Sequence, residues 1–589
     1  MLQGGTPARL LIRHFVRRFV DNDFLSAYAD RHESLAFFAA TLVSAGMFGA
    51  VLIGTKYLFG VPSVSWAAVS AMDDMFVIVS VSMIVVALTT AAQWDALSID
   101  ARDAAILGPL PVGHPTIVRA KAAANLPFGS AFVITTTVPA SLIFSFVALA
   151  SLRLAASTEM RVIASHVLTT TLAGLFAFIA VVALREGLRL LAGARGFARI
   201  SSFVQVLLIV GLTTLLLLVL GGDHAVPRAW LQTPAPRSVT PLVVPAMWFV
   251  GLAQTINGDV IVLAPVGGVV ADDNLSRFYL AQTQVFRDLA STAFIGTAAT
   301  LLLGSAAFFW NARRLPSPIA PARQRARVVR RALSEAAIRT VVRRPMAQAA
   351  FFFTFRVLFR SRPHRLTLAV GAAVALSMTI AVVSGVGQAR VASPTTAPLL
   401  WWALQPLVLM TIAATLQHAM ALPAELRANW IFHHCWVGQL RACVAGAERA
   451  VFLGVMTPAV LMLVPLHVYV MGPRAGLFHA MNGLLLSAVL LGFMMMDRTA
   501  PPFVSSYVRS GNVKSLGPIV VMVAVGLSLT AAAFERSAVG SAAGSLRHTL
   551  ALCALVLVIH QTVWRRLPST ATLATDPPEP SSDPLRLSG

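Results

Sequence analysis

The chain has 589 residues, of which 57% are hydrophobic and only 12% are charged. Because about 25% of the residues of a soluble globular protein are charged, this composition excludes an ordinary soluble protein and indicates a membrane protein. The formal net charge of +22 comes mainly from Arg in short segments between apolar runs, where membrane proteins carry the basic residues of their cytoplasmic loops, so we do not expect a nucleic-acid partner.

The N-terminal stretch predicts an amphipathic helix at the membrane surface. In residues 7–20, Leu11 and Phe15 lie on one helical face, and basic side chains lie on another. The basic residues of that face are Arg9, Arg13 and Arg17. A helix with this pattern lies in the interface and does not cross the bilayer. The stretch also lacks the apolar core and the small-residue cleavage site of a signal peptide.

Apolar runs along the chain predict an all-α fold, a polytopic membrane bundle of about twelve spans in two six-helix halves. Crossing the hydrocarbon takes about 20 apolar residues, and the sequence supplies such runs repeatedly. The runs of the first half lie near 34–58, 75–94, 122–150, 162–184, 200–220 and 288–310. Those of the second half lie near 366–387, 398–421, 450–470, 475–496, 515–533 and 547–563.

These runs divide the chain into four predicted regions. They are a first half at 1–312 with an outer segment at 222–286, a basic cytoplasmic connector with a second interfacial helix at 313–365, a second half at 366–565, and a disordered cytoplasmic tail at 566–589. Placing both termini in the cytoplasm puts most of the 46 Lys and Arg residues on the inner side, which favours that orientation.

Two charged segments, each after the second span of its half, suggest a duplication. They are "LSIDARDAAILGPLPVGHPTIVRAK" at 97–121 and "LPAELRANWIFHHCWVGQLRACVAGA" at 422–447. Aligned from their first residue, they pair Leu97 with Leu422, Asp100 with Glu425 and Arg102 with Arg427. The first segment predicts a short helix with a charged start and an apolar end, stiffened by Pro109 and Pro111. Such a helix could dock a soluble partner or merely join two spans, and the residues alone leave both open.

The sequence contains no nucleotide-binding loop, because its lysines, Lys56, Lys121 and Lys514, stand outside any G-x-x-x-x-G-K-[ST] pattern. We therefore expect no cofactor in this chain. An ion-coupled secondary transporter is an alternative, but such carriers keep ionisable groups within their spans. The predicted span centres are almost free of Asp and Glu, and the pair Asp73 and Asp74 reads as a solvated helix start.

A membrane-embedded transferase is a weaker alternative. Catalysis or metal binding would need clustered carboxylates or His at ligand spacing. The adjacent His433 and His434 point about 100° apart on a helix, and His166 and His467 stand singly in apolar runs. The cysteines show no metal spacing; they are Cys435, Cys443 and Cys553. We predict no catalytic and no metal-binding residues.

Residues 100–121, with "DARDAAILGPLPV" and then a basic residue before the third span, resemble the coupling helix of the type-two ATP-binding-cassette exporter permeases. "VVPAMWFVGLAQTINGD" at 243–259 resembles the stretch before the sixth span of related bacterial proteins. The resemblance implies the transmembrane permease subunit of an ATP-driven exporter in the bacterial inner membrane, working with a separate ATP-binding-cassette ATPase that holds ATP and Mg. Most such permeases have one six-span unit, so this chain would be a fused pair, acting as a pseudo-dimeric monomer or as a homodimer.

The residues expected to carry this function fall into three sets. The partner-coupling candidates are Asp100, Arg102, Asp103, Pro109, Pro111, Glu425 and Arg427. The lipid-interface candidates are Arg9, Arg13, Arg17, Arg356, Arg360, Arg362 and Arg365, and the outer-gate candidates are Pro245, Trp248 and Phe249. The loop near 534–546 is too short to repeat the outer segment, so only the first half would keep a full outer gate. No motif selects the transported substrate.

Overall fold

The computed structural model describes residues 7–20, 47, 50–51, 53–54, 56–57, 64–94, 96–99, 103, 106–150, 156–221, 243–258, 273–313, 342–386, 393–422, 424, 439–496, 498, 501–504 and 517–568. Within these residues all regular structure is helical and there is no strand, which confirms the all-α fold. The chain divides into two compact units, unit 1 at 1–320 and unit 2 at 321–589.

Unit 1 is built from long apolar helices and two shorter ones. Its described helices are α1 (Pro7–Val20), α2 (Val64–Ala92), α3 (His114–Ala150), α4 (Ala156–Gly221), α5 (Pro245–Asn257) and α6 (Asp273–Asn311). The helix α4 covers two predicted spans. They are separated only by a kink at Gly193, the one non-helical residue of α4, with φ 66° and ψ 171°. Glycine reaches a positive φ at little cost, so the chain bends there without a loop.

Unit 2 has the same general construction. Its described helices are α7 (Pro345–Arg360), α8 (Arg362–Val386), α9 (Leu399–Ala421), α10 (Leu440–Val451), α11 (Thr457–Met471), α12 (Pro473–Met495), α13 (Gly517–Ala538) and α14 (Ala542–Arg566). A π-helical turn, Phe452–Met456, joins α10 to α11, so that both belong to one span. Only three residues separate α13 from α14, and Ser541 caps the N-terminus of α14 by accepting from the Gly544 backbone N–H.

Ten helices of the described residues are long and apolar enough to cross a bilayer, which indicates a multi-pass membrane protein. Their outer faces are apolar too, because the consecutive side chains Leu301, Leu302 and Leu303 are all exposed. The number twelve stays a prediction. The predicted span at 34–58 lies largely outside the described residues, and α13, which covers the run at 515–533, is not among the ten.

The helices of unit 1 pack around α4. The helix α4 packs against α2, and it also contacts α3, α5 and α6. The surface helix α1 packs on α3. The end of α2 is tied to the second limb of α4, since Trp94 Nε1 donates to Ser201 Oγ at 2.9 Å and Gln205 Nε2 donates to the Ala91 carbonyl at 2.9 Å. Large apolar side chains, among them Met247, Phe144 and Leu289, fill the core.

Unit 2 repeats these pairings with its own helices. Its second predicted span, α9, contacts α12 and α13, as α2 contacts the two limbs of α4. The third contacts the fourth through α11 and α12, the fourth contacts the sixth through α12 and α14, and α7 packs on α10. The core includes Trp401, Trp402 and Leu409. Both units therefore share one pattern of helix contacts.

Candidate functional site

The connection between α2 and α3, residues 96–113, is the first elbow. It is anchored to its unit, because Leu97 and Ile99 are buried and the Leu97 carbonyl accepts a hydrogen bond from Asn125 Nδ2 of α3 at 2.9 Å. Backbone bonds from Leu110 N to the Leu107 carbonyl and from Val112 N to the Leu110 carbonyl fold it into tight turns. The elbow is thus held in place by its own contacts.

The tip of the first elbow is apolar and exposed. Ile106 is 55% and Leu110 47% exposed, and the candidates Pro109 and Pro111 are exposed beside them. The carboxylate candidate Asp103 is instead only 2% exposed, so its side chain does not lie on this surface. The candidates Asp100 and Arg102 lie outside the described residues.

The second elbow begins at Leu422, where α9 ends, and runs to Gln439. Its carbonyl at Leu422 lies 3.1 Å from His364 Nε2, and Ser361 Oγ lies 2.8 Å from His364 Nδ1. Since a carbonyl oxygen can only accept, Nε2 carries the proton and Nδ1 accepts from the hydroxyl. The candidates Glu425 and Arg427 lie outside the described residues.

A backbone bridge fixes the start of the second elbow. Phe503 N donates to the Met420 carbonyl at 3.1 Å, and Ala424 N donates to the Phe503 carbonyl at 2.9 Å. Phe503 has a φ of 68°, a conformation that is rare and costly for an aromatic residue and is kept here by these two bonds. Close by, burial lowers the pKa of Arg498 to about 10, and its guanidinium reaches Gln417.

The two surface helices pack on equivalent places of their units. In unit 1, Phe15 of α1 is fully buried, and Lys121 Nζ of α3 lies 4.8 Å from the centre of its ring. The alignment that pairs Leu97 with Leu422 pairs Lys121 with Gly446 of α10. A Cβ added at Gly446 would stand 2.2 Å from the Ala347 carbonyl oxygen of α7, so the backbones of α7 and α10 touch there.

The arginines predicted at the lipid interface lie on α1, on α7 and at the start of α8. The side chains of Arg9, Arg13, Arg356, Arg360 and Arg365 are exposed, and the structure does not describe the side chains of Arg17 and Arg362. On α7 the opposite face, with Phe351 and Leu358, is buried. Both helices therefore present a basic face away from their unit, as an interfacial helix does.

The helix α5 carries the three outer-gate candidates. Pro245 begins the helix, and its aromatic residues close on Phe176 of α4, with ring centres 5.5 Å away for Trp248 and 5.8 Å for Phe249. The indole of Trp248 also covers Gly296 of α6, where an added Cβ would stand 2.7 Å from it. α5 therefore wedges between α4 and α6.

Unit 1 buries an ion pair in the half away from its elbow, which we call the distal half. Asp74 of α2 is fully buried, and its carboxylate accepts from Lys56 Nζ at 2.6 Å and from Tyr57 Oη at 2.5 Å. Asp73 is also buried, at 3% exposure. The prediction of a solvated helix start was wrong, because α2 begins at Val64 and both carboxylates lie well inside it.

Unit 2 buries a second ionisable cluster in its own distal half. His479 Nδ1 of α12 lies 2.9 Å from Glu535 Oε1 of α13, close enough for an ion pair but not aligned as a hydrogen bond. The rings of His467 and His479 meet edge to face with centres 4.5 Å apart, and Asn482 Nδ2 donates to Glu535 Oε1 at 2.9 Å. The sequence suggested that His467 stands singly, whereas the structure places it against His479.

A third buried pair joins the fourth and sixth predicted spans at the elbow side. Arg185 Nη1 donates to Glu186 Oε1, and the other carboxylate oxygen accepts from Asn311 Nδ2 of α6 at 2.8 Å. Among the described residues, no group of three or more His, Cys, Asp and Glu side chains is placed to hold a metal ion. Cys443 is buried and Cys553 partly buried, both as free thiols, and Cys435 lies outside the described residues.

No family model, no curated protein and no solved structure matches this chain.

Proposed function

We propose that the protein is the transmembrane permease subunit of an ATP-driven exporter in a bacterial inner membrane, and that a separate ATP-binding-cassette ATPase drives it through the two elbows. ATP and Mg would be held by that partner. The exposed apolar tip of the first elbow carries the proposal. Neighbouring exposed apolar side chains, Ile106 and Leu110, on a connection that is held between two membrane helices support contact with a protein partner.

The mounting of the tip supports a mechanical role. The base of the elbow is buried at Leu97, Ile99 and Leu107. It is also bonded to α3, because Asn125 Nδ2 donates to the Leu97 carbonyl. A push on Ile106 or Leu110 would therefore be passed to α2 and α3, the spans that the elbow joins. Coupling of this kind needs a rigid element that both sites bias, and the proposal assigns that role to the elbow.

The start of the second elbow, at Leu422, supports the same proposal. The carbonyls of Leu97 and Leu422, which the alignment pairs, each accept a hydrogen bond from a side chain of another helix, Asn125 in unit 1 and His364 in unit 2. The partner would thus act on one elbow in each unit. In this proposal Asp103 positions the first elbow from inside, and the exposed tip makes the contact.

Gentle isolation from native membranes tests the proposal. We expect a soluble subunit with Walker motifs to co-purify, and the double variant Ile106→Glu/Leu110→Glu to lower its recovery and its ATP turnover at least about tenfold, which corresponds to ~1.4 kcal/mol of binding. Leu546→Glu is the matched control, because Leu546 is 61% exposed but lies at the start of α14, away from the elbow. Failure to recover an ATPase in several mild detergents, or unchanged turnover in the double variant, would refute the proposal.

The second candidate is an ion-coupled secondary transporter. The observation that favours it is the buried cluster of His467, His479 and Glu535, since ionisable groups inside membrane helices mark ion pathways. Proteoliposomes without the ATPase separate the two functions. We expect an imposed pH or sodium gradient to decay no faster than in empty liposomes, and faster decay would favour the carrier.

A further inference from the structure

Three ionisable side chains from three helices of unit 2 meet at a place that elbow-driven coupling does not use. His467 comes from α11, His479 from α12 and Glu535 from α13. Their exposures are 1%, 0% and 4%. Ionisable groups in such a position are expensive, and membrane proteins keep them for a function.

The cluster is enclosed by neutral side chains on the α9 side. The ring of Trp402 stands edge to face with His479, centres 5.3 Å apart. Gln405 Nε2 donates to the His479 backbone carbonyl at 2.7 Å, linking α9 to α12. A Cβ at Gly483 would stand 2.2 Å from Gln405 Nε2, so this side is closely packed.

The other charged groups at this end lie outside the cluster. Arg536 follows Glu535 along α13, and α14, which packs on α12 and α13, brings Arg547 and His548. The imidazole of His548 faces Phe478, with ring centres 6.0 Å apart. On α12 and α11 the nearest further groups are the exposed Arg474 and Tyr469. Within the part of the chain that the structure describes, the imidazole of His479 lies against Glu535 and the imidazole of His467 lies against His479.

The charges of the cluster balance at one bound proton. A buried carboxylate with no cation near it is strongly destabilising, and Asn482 supplies only a neutral donor. One proton on His479 makes an ion pair with Glu535 and brings the net charge of the cluster to zero. A second proton on His467 would place two positive rings in contact, which disfavours it.

Gain or loss of a proton by the cluster needs a ring nitrogen that is not already hydrogen-bonded. In the described part of the chain both ring nitrogens of His479 are without a hydrogen-bond partner, so this imidazole can gain or lose a proton without breaking a hydrogen bond, whereas the His467 ring bonds the backbone of Leu463 and Trp401. The edge-to-face contact of the rings does not present them to a common metal ion, and the described residues hold no metal-binding group.

We propose that His467, His479 and Glu535 form a proton-binding site that holds one proton and ties the distal ends of α12 and α13 together. Loss of the proton removes the attraction between His479 and Glu535, the ionic link between these helices. Gln405 of α9 donates to the backbone carbonyl of His479, a bond that does not involve the imidazole and holds α9 to α12 in either protonation state. The site goes beyond the proposed exporter and does not depend on the source of energy.

Thermal unfolding of the purified full chain in detergent tests the site between about pH 5 and about pH 8, the range in which imidazoles titrate. The proposal requires the folded cluster to keep a proton that the unfolded chain releases, and the wild-type melting temperature should then fall as the pH rises. Glu535→Gln should flatten this slope, because a neutral amide does not need the proton. Asp74→Asn, which alters a buried carboxylate paired with Lys56, should leave the slope as it is.

Two further measurements keep the site falsifiable. If Glu535→Gln yields no folded protein, His479→Gln should flatten the slope and His467→Phe should keep it. Replacing potassium chloride by sodium chloride at constant pH should not change the melting temperature. An unchanged slope in Glu535→Gln or His479→Gln, or stabilisation by sodium alone, would overturn the proposal. None of these measurements involves an ATPase, so their failure is distinct from failure of the exporter proposal.

Discussion

In its distal half, unit 1 buries Asp74 against Lys56 and Tyr57, whereas unit 2 buries Glu535 against His479 and Asn482. Both arrangements lie within the same pattern of helix contacts. The first pair sets a carboxylate against an ammonium, and the second sets one against an imidazole, the side chain type whose unperturbed pKa lies nearest to neutral pH. The comparison teaches that one pattern of helix contacts can hold two different ionic links: a Lys–Asp pair in unit 1, and in unit 2 a His–Glu pair that we propose to be titratable.

A second difference concerns the connections at that end. About fifty residues separate α4 from α6 in unit 1, and they include the wedge helix α5, whereas three residues separate α13 from α14 in unit 2. The connection between α13 and α14 is thus too short to hold a helix like α5, and an outer segment confined to the first half stays a prediction. Unit 1 therefore has a packed helix over its distal side, and unit 2 has none between α13 and α14.

The largest effect is expected at Gly446, where α10 approaches the backbone of α7. A valine there would press on the Ala347 carbonyl, which stands 2.2 Å from the Cβ position, and should destabilise unit 2 by about 3 kcal/mol. The readouts are the yield of monodisperse protein and the melting temperature. Gly526→Val is the control, since its Cβ would meet no atom within 4 Å. Equal melting temperatures of the two variants would show that α7 does not need to approach α10.

An intermediate effect is expected for Asp74→Asn, which leaves the Lys56 ammonium without its charged partner. Breaking a fully buried pair costs about 3–5 kcal/mol, but the Lys56 side chain is 32% exposed, so we expect about 2 kcal/mol. The melting temperature should drop by the same amount at about pH 5 and about pH 8. A drop at only one of these pH values would mean that the Lys–Asp pair of unit 1 is titratable too, and the contrast between the units would fail.

The smallest effect is expected for Lys121→Met, which keeps the length of the side chain but removes the charge over the Phe15 ring. A cation–π contact in a buried place is worth about 1 to 2 kcal/mol, and we expect the lower figure. A double-mutant cycle with Phe15→Leu isolates the contact from other partners of Lys121. A coupling energy near zero would mean that α1 is held on α3 by apolar packing alone.

The sequence predicted the spans because their signal is local. An apolar run of about 20 residues identifies a membrane helix without knowledge of its neighbours, and ten of the predicted runs coincide with long apolar helices. The surface helices were also predictable, since the spacing of Arg9 and Arg13 alone defines a basic face. The elbows could be placed from their position after the second spans, but which of their side chains is exposed depends on packing, so the burial of Asp103 was not predictable.

The buried ionisable groups were missed for a physical reason. Acidic residues lower the hydropathy of a window, so the helices were expected to exclude Asp74 and Glu535, and the structure extends α2 and α13 over them. Their partners lie on other helices and stabilise them only in the folded unit. His467 and His479 stand twelve positions apart and meet because the chain turns back at Gly472, where φ is 84°. Helix boundaries and pairings between helices are the information that a local pattern lacks.

The bend at Gly193 has a consequence for any motion of unit 1. Because α4 passes from one bilayer crossing to the next through a single non-helical residue, no slack chain is present to absorb a displacement between them. Just beyond that bend, Ser201 and Gln205 bond the end of α2, so a displacement of α2 in the proposed function would be passed directly to the second limb of α4. The first limb could move relative to the second only by backbone rotation near Gly193.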